Sequence, residues 1–276
     1  MAYDGFKKLR AVRDRGILTV SFDNPPVNVY DRQVASDLGR AIDEFEADSA
    51  ARVLILRSDL PGWFMAHMDI PWRISDGWPT AEEAALFAPL TERIRTMPKV
   101  SIAVIEGRCG GFGMELTLSC DMRFAALETA IFNQLEVGVG SVAATGNQRI
   151  ARLCGRMRAM EIILGADDFD AATAEKYALI NRALPVAQLG AFVDRLARRV
   201  ASWLPEVVVA AKASALRAES HTDPAGDIRA DFDNPALRLA RSTIEVKKRF
   251  LAIGGQTVEG ESRLGDLIAE LGVAPQ

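Results

Sequence analysis

The sequence predicts an α/β fold whose second half turns largely helical, and three observations carry that expectation. Short apolar runs with strand character alternate with helix-period stretches through the first half. From about residue 143 onward the periodic stretches are mostly helical. No low-complexity tract or exact internal repeat breaks the pattern.

The elements follow in order. ILTVSF (17–22) is a β-rich run closed by the turn residues DNPP. From about 30 to 47, Val34, Leu38, Ala41, Ile42 and Phe45 recur at helical spacing. RVLILRS (52–58) is short and apolar enough for a buried strand. A long connection over 59–80, containing WFMAHMDI, is of a length that often carries function. A helix over 81–96 ends at Met97-Pro98, and VSIAVIE (100–106) reads as another buried strand. A glycine cluster and a helix holding Glu115 come next, then two short strands, DMRFAA (121–126) and AIFN (130–133). Helical periodicity then covers 146–153, 156–164, 171–177, 186–203, 205–219, 235–252 and 256–271, with turn-rich 221–234 as a loop or hinge.

A chain of 276 residues can bury one substantial core, or one domain with a smaller appendage. A division at 200/201 is expected, with the site in the first part and a helical region after it. The net charge of −4 argues against a general nucleic-acid or anionic-membrane binder, yet leaves room for a local basic pocket. The apolar runs are too short to span a membrane, and the charged N-terminal stretch lacks the apolar centre of a signal peptide. Cys109, Cys120 and Cys154 are odd in number and lack metal-like spacing, so free thiols in the cytoplasm are expected, with no metal and no cofactor.

Residues 109–121, CGGFGMELTLSCD, place one acid in an apolar stretch. A buried carboxylate costs several kcal/mol unless partners stabilise it, so Glu115 is either exposed and idle or there to be used. Gly110, Gly111 and Gly113 permit a tight turn into a helix whose N-terminus presents unpaired amides and favours an acid in its first turn. The N–H of Gly111 could face negative charge developing on a carbonyl oxygen. An ordinary turn with an N-terminal acid is the plainer reading. The spacing matches neither G-x-G-x-x-G nor a P-loop. A second acid, Glu136, lies 21 positions on between an apolar strand and a glycine-containing loop. The two can converge only if the intervening strands fold back, and a facing pair could then divide acid and base roles.

Four blocks, in order, resemble the crotonase (enoyl-CoA hydratase/isomerase) superfamily: DNPPVNVYD; WFMAHMDI; IEGRCGGFGMELTLSCDMRFA; and IFNQLEVGVG followed by GNQRIARLCGRMRAMEIILGAD. The resemblance spans nearly the whole chain. It implies a spiral of ββα units, a C-terminal helical region serving oligomerisation and active-site cover, and a homotrimer or dimer of trimers. It also implies an acyl-CoA thioester substrate, with coenzyme A part of that substrate rather than a cofactor. Carried over residue by residue, it implies oxyanion-hole amides at Met68 and Gly111 and water-activating carboxylates at Glu115 and Glu136. Substrate contacts are implied at Ala66, His67, Asp69, Ile70 and Phe112.

Several positions depart from the family pattern. His67 stands where a glycine is usual, Phe112 where many members have a third glycine, and Leu135 where a proline usually precedes the second glutamate. His67 either narrows the thioester site or points away; Phe112 suggests a reshaped acyl pocket. Trp63, Trp72 and Trp78 either line a bulky acyl pocket or simply pack, and Lys247 and Lys248 either reach coenzyme A phosphates or sit on a solvated face. Hydration of a 2-enoyl thioester is the expected reaction. Isomerisation, carbon–carbon cleavage, decarboxylation, thioester hydrolysis and non-catalytic acyl-CoA binding stay open.

Overall fold

The computed structural model describes residues 3–69 and 81–219, together with 245, 248–249, 252–254 and 270; the side chains of 81–88 also fall outside the description. Ile70, Trp72, Trp78, Lys247 and most of the two last expected helices therefore lie outside the described residues.

The strand β1 (Leu9–Asp14) pairs antiparallel with β2 (Ile17–Phe22), and the connecting Arg15 and Gly16 both have positive φ, as a two-residue hairpin loop demands. After β2 comes α1 (Arg32–Ala47), which starts where the Asp31 side chain accepts the Val34 amide at 2.8 Å. Its buried face holds the predicted Val34, Leu38, Ala41, Ile42 and Phe45, together with Asp37, which accepts the Lys7 and Lys8 amides. The following strands are β3 (Val53–Ser58) and β4 (Trp63–Met65), then α2 (Ala81–Thr96). Next are β5 (Val100–Ile105), β6 (Arg108–Gly110) and the short α3 (Phe112–Thr117). β7 (Met122–Ala126) and β8 (Ile131–Asn133) lead through a 3-10 turn, Glu136–Val139, to α4 (Gly146–Gly165). The chain continues through β9 (Phe169–Asp170), α5 (Ala171–Lys176), β10 (Arg182–Leu184), α6 (Val186–Ala201) and α7 (Pro205–Ala218).

Two sheets result. One has the order β1-β2-β3-β5-β7-β10 and is parallel beyond its first pair. The other has the order β4-β6-β8-β9 and is parallel except at its last pair. Three times in succession the chain leaves the first sheet, adds a strand to the second and then enters a helix: β3-β4-α2, β5-β6-α3, and β7-β8 into α4. This is the expected crotonase spiral of ββα units. Each turn of it adds one parallel strand to both sheets, so strand ends from successive turns gather at one edge.

The near-continuous apolar runs of β3 and β5 are buried along almost their whole length, as parallel strands covered on both faces must be. The two helical stretches expected at 146–153 and 156–164 are both present within α4, separated by a kink at Gly155, whose φ of 78° and ψ of 161° are not helical. The chain divides into two units, residues 1–194 and 195–276. In the first, Phe192 of α6 packs edge-on against Phe124 of β7. In the second, α7 begins with proline at its first turn, where the missing N–H costs nothing.

Candidate active site

Parallel pairing of β6 with β8 sets Gly110 beside Asn133. The segments that follow each strand, 111–115 and 134–136, therefore start side by side. Strands β7 and β8 do fold back, and Glu115 and Glu136 converge although 21 positions apart.

Gly111 forms the turn into α3 with φ 48° and ψ −122°, a conformation that L side chains rarely adopt. A Cβ at this position would lie 2.7 Å from Glu136 Oε1 and 3.2 Å from the β-carbon of His67. The missing side chain thus lets three segments meet. The Gly111 N–H donates to the carbonyl of Asn133 at 2.9 Å, as the extension of the β6–β8 ladder. This corrects the expectation that the Gly111 amide faces the site, because that hydrogen is already committed. The next amide, Phe112, opens the helix; it has no acceptor within α3, and none is found among the described residues. The Phe112 ring is 2% exposed and stacks at a tilt on Tyr30, ring centroids 4.1 Å apart.

The loop Ala66–Asp69 is held by Tyr30. Its N–H donates to His67 O at 2.8 Å and its carbonyl accepts from Asp69 N at 3.1 Å, forming a parallel bridge opposite Met68. In such a bridge the intervening residue turns its own amide the other way. The Met68 N–H therefore faces away from Tyr30, while Ala66 N is occupied by Val27 O at 3.1 Å. His67 Nδ1 lies 2.7 Å from Met68 O. A carbonyl only accepts, so Nδ1 carries the hydrogen and Nε2 keeps the lone pair in the neutral ring. His67, Ala66, Trp63 and Leu135 line a cavity of about 380 Å³, with Arg108 and Asn133 at its polar side. His67 thus forms part of the wall of this cavity.

Glu115 is 3% exposed. Its Oε2 accepts from Thr145 N at 2.6 Å, Thr145 Oγ1 at 2.8 Å and Gly146 N at 3.0 Å. Those amides open α4, whose N-cap side chain makes no capping bond of its own. The carboxylate therefore occupies the anion position at the N-terminus of α4. Burial nonetheless pushes its pKa above the ordinary carboxylate value, opposed by these bonds and by the charge of Arg149. Glu136 is held differently. Its Oε2 accepts one side-chain bond, from Gln134 Nε2 at 2.6 Å. Burial raises its pKa, the Gln134 bond opposes this, and the like charge of Glu115 raises it further. Gln134 itself is 1% exposed, and its Oε1 finds no partner among the described residues. That oxygen and Glu115 Cγ lie 2.9 and 3.0 Å from the point where a Cβ on Gly146 would sit. The amide thus lies between the two carboxylates.

Gln134, Thr145, Arg149 and Tyr30 receive no role from the sequence. Thr145 immediately before a helical stretch is a visible N-cap signal, but nothing local shows that its hydroxyl turns to another element. Among the described residues, no group of three or more His, Cys, Asp or Glu could hold a metal ion, and no helix is long and apolar enough to cross a membrane.

A raised carboxylate pKa has a signed consequence. Relative to the unfolded value of about 4.3, the folded chain favours protonated Glu136. Its contribution to stability is full below that value and is lost as pH rises through the raised folded value. Glu136→Gln removes that loss. Urea midpoints compared across this window should show the variant gaining on the wild type as pH rises.

A ββα spiral with one buried and one half-buried carboxylate, beside main-chain amides that find no acceptor among the described residues, defines a class of α/β enzymes. The sequence pattern of the enoyl-CoA hydratase/isomerase family matches residues 13–239, and the chain belongs to that family. It is 32% identical over 174 residues to the probable enoyl-CoA hydratase 2 of Arabidopsis thaliana mitochondria, covering 61% of this chain and 56% of that protein. To the mitochondrial methylglutaconyl-CoA hydratase of Mus musculus it is 29% identical, covering 74% of this chain and 66% of the other. The chain thus spans somewhat over half to about two thirds of the length of these curated relatives. A solved structure from Streptomyces avermitilis, of a candidate enoyl-CoA hydratase, superposes with a TM-score of 0.71 at 33% identity, covering 97% of this chain and 99% of that one. The enoyl-CoA hydratase of Geobacillus kaustophilus superposes with a TM-score of 0.83 at 28% identity, covering 90% and 95%.

Proposed function

We propose that the protein hydrates 2-enoyl-CoA thioesters to 3-hydroxyacyl-CoA through an enolate. The observation that carries this reading is the convergence of Glu115 and Glu136 on either side of Gln134, next to unpaired amides. The amides of Met68 and Phe112 would hold the thioester oxygen and stabilise the negative charge it gains, as preorganised donors do. Glu115, with three donors on Oε2, is the better stabilised anion, and its Oε1 accepts no bond from the described residues. It serves as the base that orients water and takes its proton. Glu136, with one side-chain donor, its own main-chain amide and a like charge nearby, is the better proton holder and delivers a proton to the α-carbon. Water oxygen bonds to the β-carbon, the carbon–carbon π bond is lost, and proton count is conserved because one carboxyl gains what the other gives.

Coenzyme A thioesters are the proposed substrate class because both the family and the named relatives point there. The test is loss of the ultraviolet absorbance of the conjugated thioester when crotonyl-CoA or a longer enoyl-CoA is added. Loss of absorbance with formation of the 3-hydroxyacyl product is expected. No hydration of any chain length, with α-proton exchange retained, would replace this reading with isomerisation or another enolate-forming reaction.

A further inference from the structure

Arg149 lies in the first turns of α4, yet its side chain turns inward and is only 12% exposed. Taking a guanidinium from water is costly unless its hydrogens are used. Its nearest carboxylate, Glu92, is 3.4 Å away and half exposed, which makes a weak pair. The short bonds go to two hydroxyls instead: Nη1 donates to Ser119 Oγ at 2.7 Å and to Thr145 Oγ1 at 2.9 Å. A guanidinium has no acceptor, so each hydroxyl must receive from it and pass its own hydrogen onward. Both pass it to the same residue. Thr145 Oγ1 donates to Glu115 Oε2 at 2.8 Å, and Ser119 Oγ donates to the Glu115 main-chain carbonyl at 2.8 Å.

We propose that Arg149 is a positioning residue that, through Thr145 and Ser119, fixes the backbone and the carboxylate of Glu115 together and keeps that carboxylate a proton acceptor. The proposal rests on the reading of Glu115 as the base. The fork locks both hydroxyl rotors, so Oε2 is saturated and Oε1 is left as the face of the carboxylate that meets water. The charge acts in the same direction. Groups facing Glu115 are Glu136 from the 3-10 turn, whose charge opposes ionisation, and Arg149 from α4, which favours it; Glu92 and Arg95 of α2 lie behind Arg149.

The test uses the whole protein labelled with ¹³C-carboxyl glutamate, the Glu115 signal being assigned by its disappearance in Glu115→Gln. Arg149→Met is expected to raise the Glu115 titration by about one unit. The acid limb of kcat for crotonyl-CoA should move up with it, lowering the rate below that limb about tenfold with KM little changed. Arg149→Lys should restore part of both. If Arg149→Met does not fold, Thr145→Val cuts one relay with the arginine in place and should shift the same signal upward. A folded variant in which Glu115 titrates as in the wild type overturns the proposal. If the wild type hydrates nothing but the Glu115 titration still follows Arg149, the positioning stands and the hydratase reading is what fails.

Discussion

Glu115→Gln and Glu136→Gln are each expected to lower the hydration rate by about 10²–10⁴, the range for a positioned acid or base. Acyl-CoA binding should persist, because glutamine keeps the shape of the side chain and the two amides are main-chain groups. The two losses should not add: a double variant should be little slower than the slower single one, as groups acting as a unit behave. The structure also predicts a difference between them. At position 115 the amide would set two donor hydrogens in a place where Oε2 now accepts three bonds, or else turn its single oxygen there, so some disturbance of the α4 N-terminus accompanies the kinetic loss. At position 136 one acceptor faces one donor, and glutamine fits. Exchange of α-protons with deuterated water separates the roles: Glu115→Gln should retain exchange while Glu136→Gln loses it. Both variants hydrating at the wild-type rate would remove the carboxylates from the mechanism.

Phe112→Pro is expected to cost about 10²–10³ in kcat, the usual loss for one oxyanion donor. The comparison that matters is with Phe112→Ala, which loses the same buried ring but keeps the N–H. Proline is tolerated at the first position of a helix, where the amide has no helical partner, so the two variants should be destabilised alike and differ in turnover. Equal kcat values in folded Phe112→Pro and Phe112→Ala would show that this amide does not stabilise the transition state. Gly111 cannot serve for this experiment. Its positive φ excludes proline, and its hydrogen belongs to the Asn133 carbonyl, so substitution there breaks the turn rather than removing a catalytic donor.

Much of this architecture is legible in the sequence because its central strands are buried on both faces. ILTVSF, VLILRS and VSIAVI are dominated by β-branched and other apolar residues in runs too short for a helix, and a short buried strand fits them. Edge and linking strands are harder to read. LRAVRD carries three charges because β1 is the sheet edge, and those charges hide its alternation. RCG and WFM are three residues long, defined by partners from other turns of the spiral rather than by any local period. The site divides in the same way. Glu115 is conspicuous as a lone acid among apolar residues, and its burial follows. What holds it is not conspicuous, since Thr145, Gly146 and Arg149 lie some thirty positions on and meet it only after β7 and β8 return. The one-residue shift from Gly111 to Phe112 has the same origin. A glycine cluster marks where a backbone turns, but which amide stays free depends on the ladder bond made by a strand twenty residues away.

Tyr30 has a bearing on how this chain can change without failing. Its main chain grips the loop that carries the Met68 amide, and its ring rests on the side chain of Phe112, whose amide is the other proposed donor. On that reading, one residue with no donor role of its own acts as a gauge block between the two proposed donors. Side chains at 68 and 112 can vary as long as their backbones stay against that gauge, which is how a residue as large as phenylalanine is accommodated at 112. A smaller residue at 30 would instead let the span between the donors drift while every named reacting group remained present, producing an enzyme that is intact by inventory and slack by an ångström.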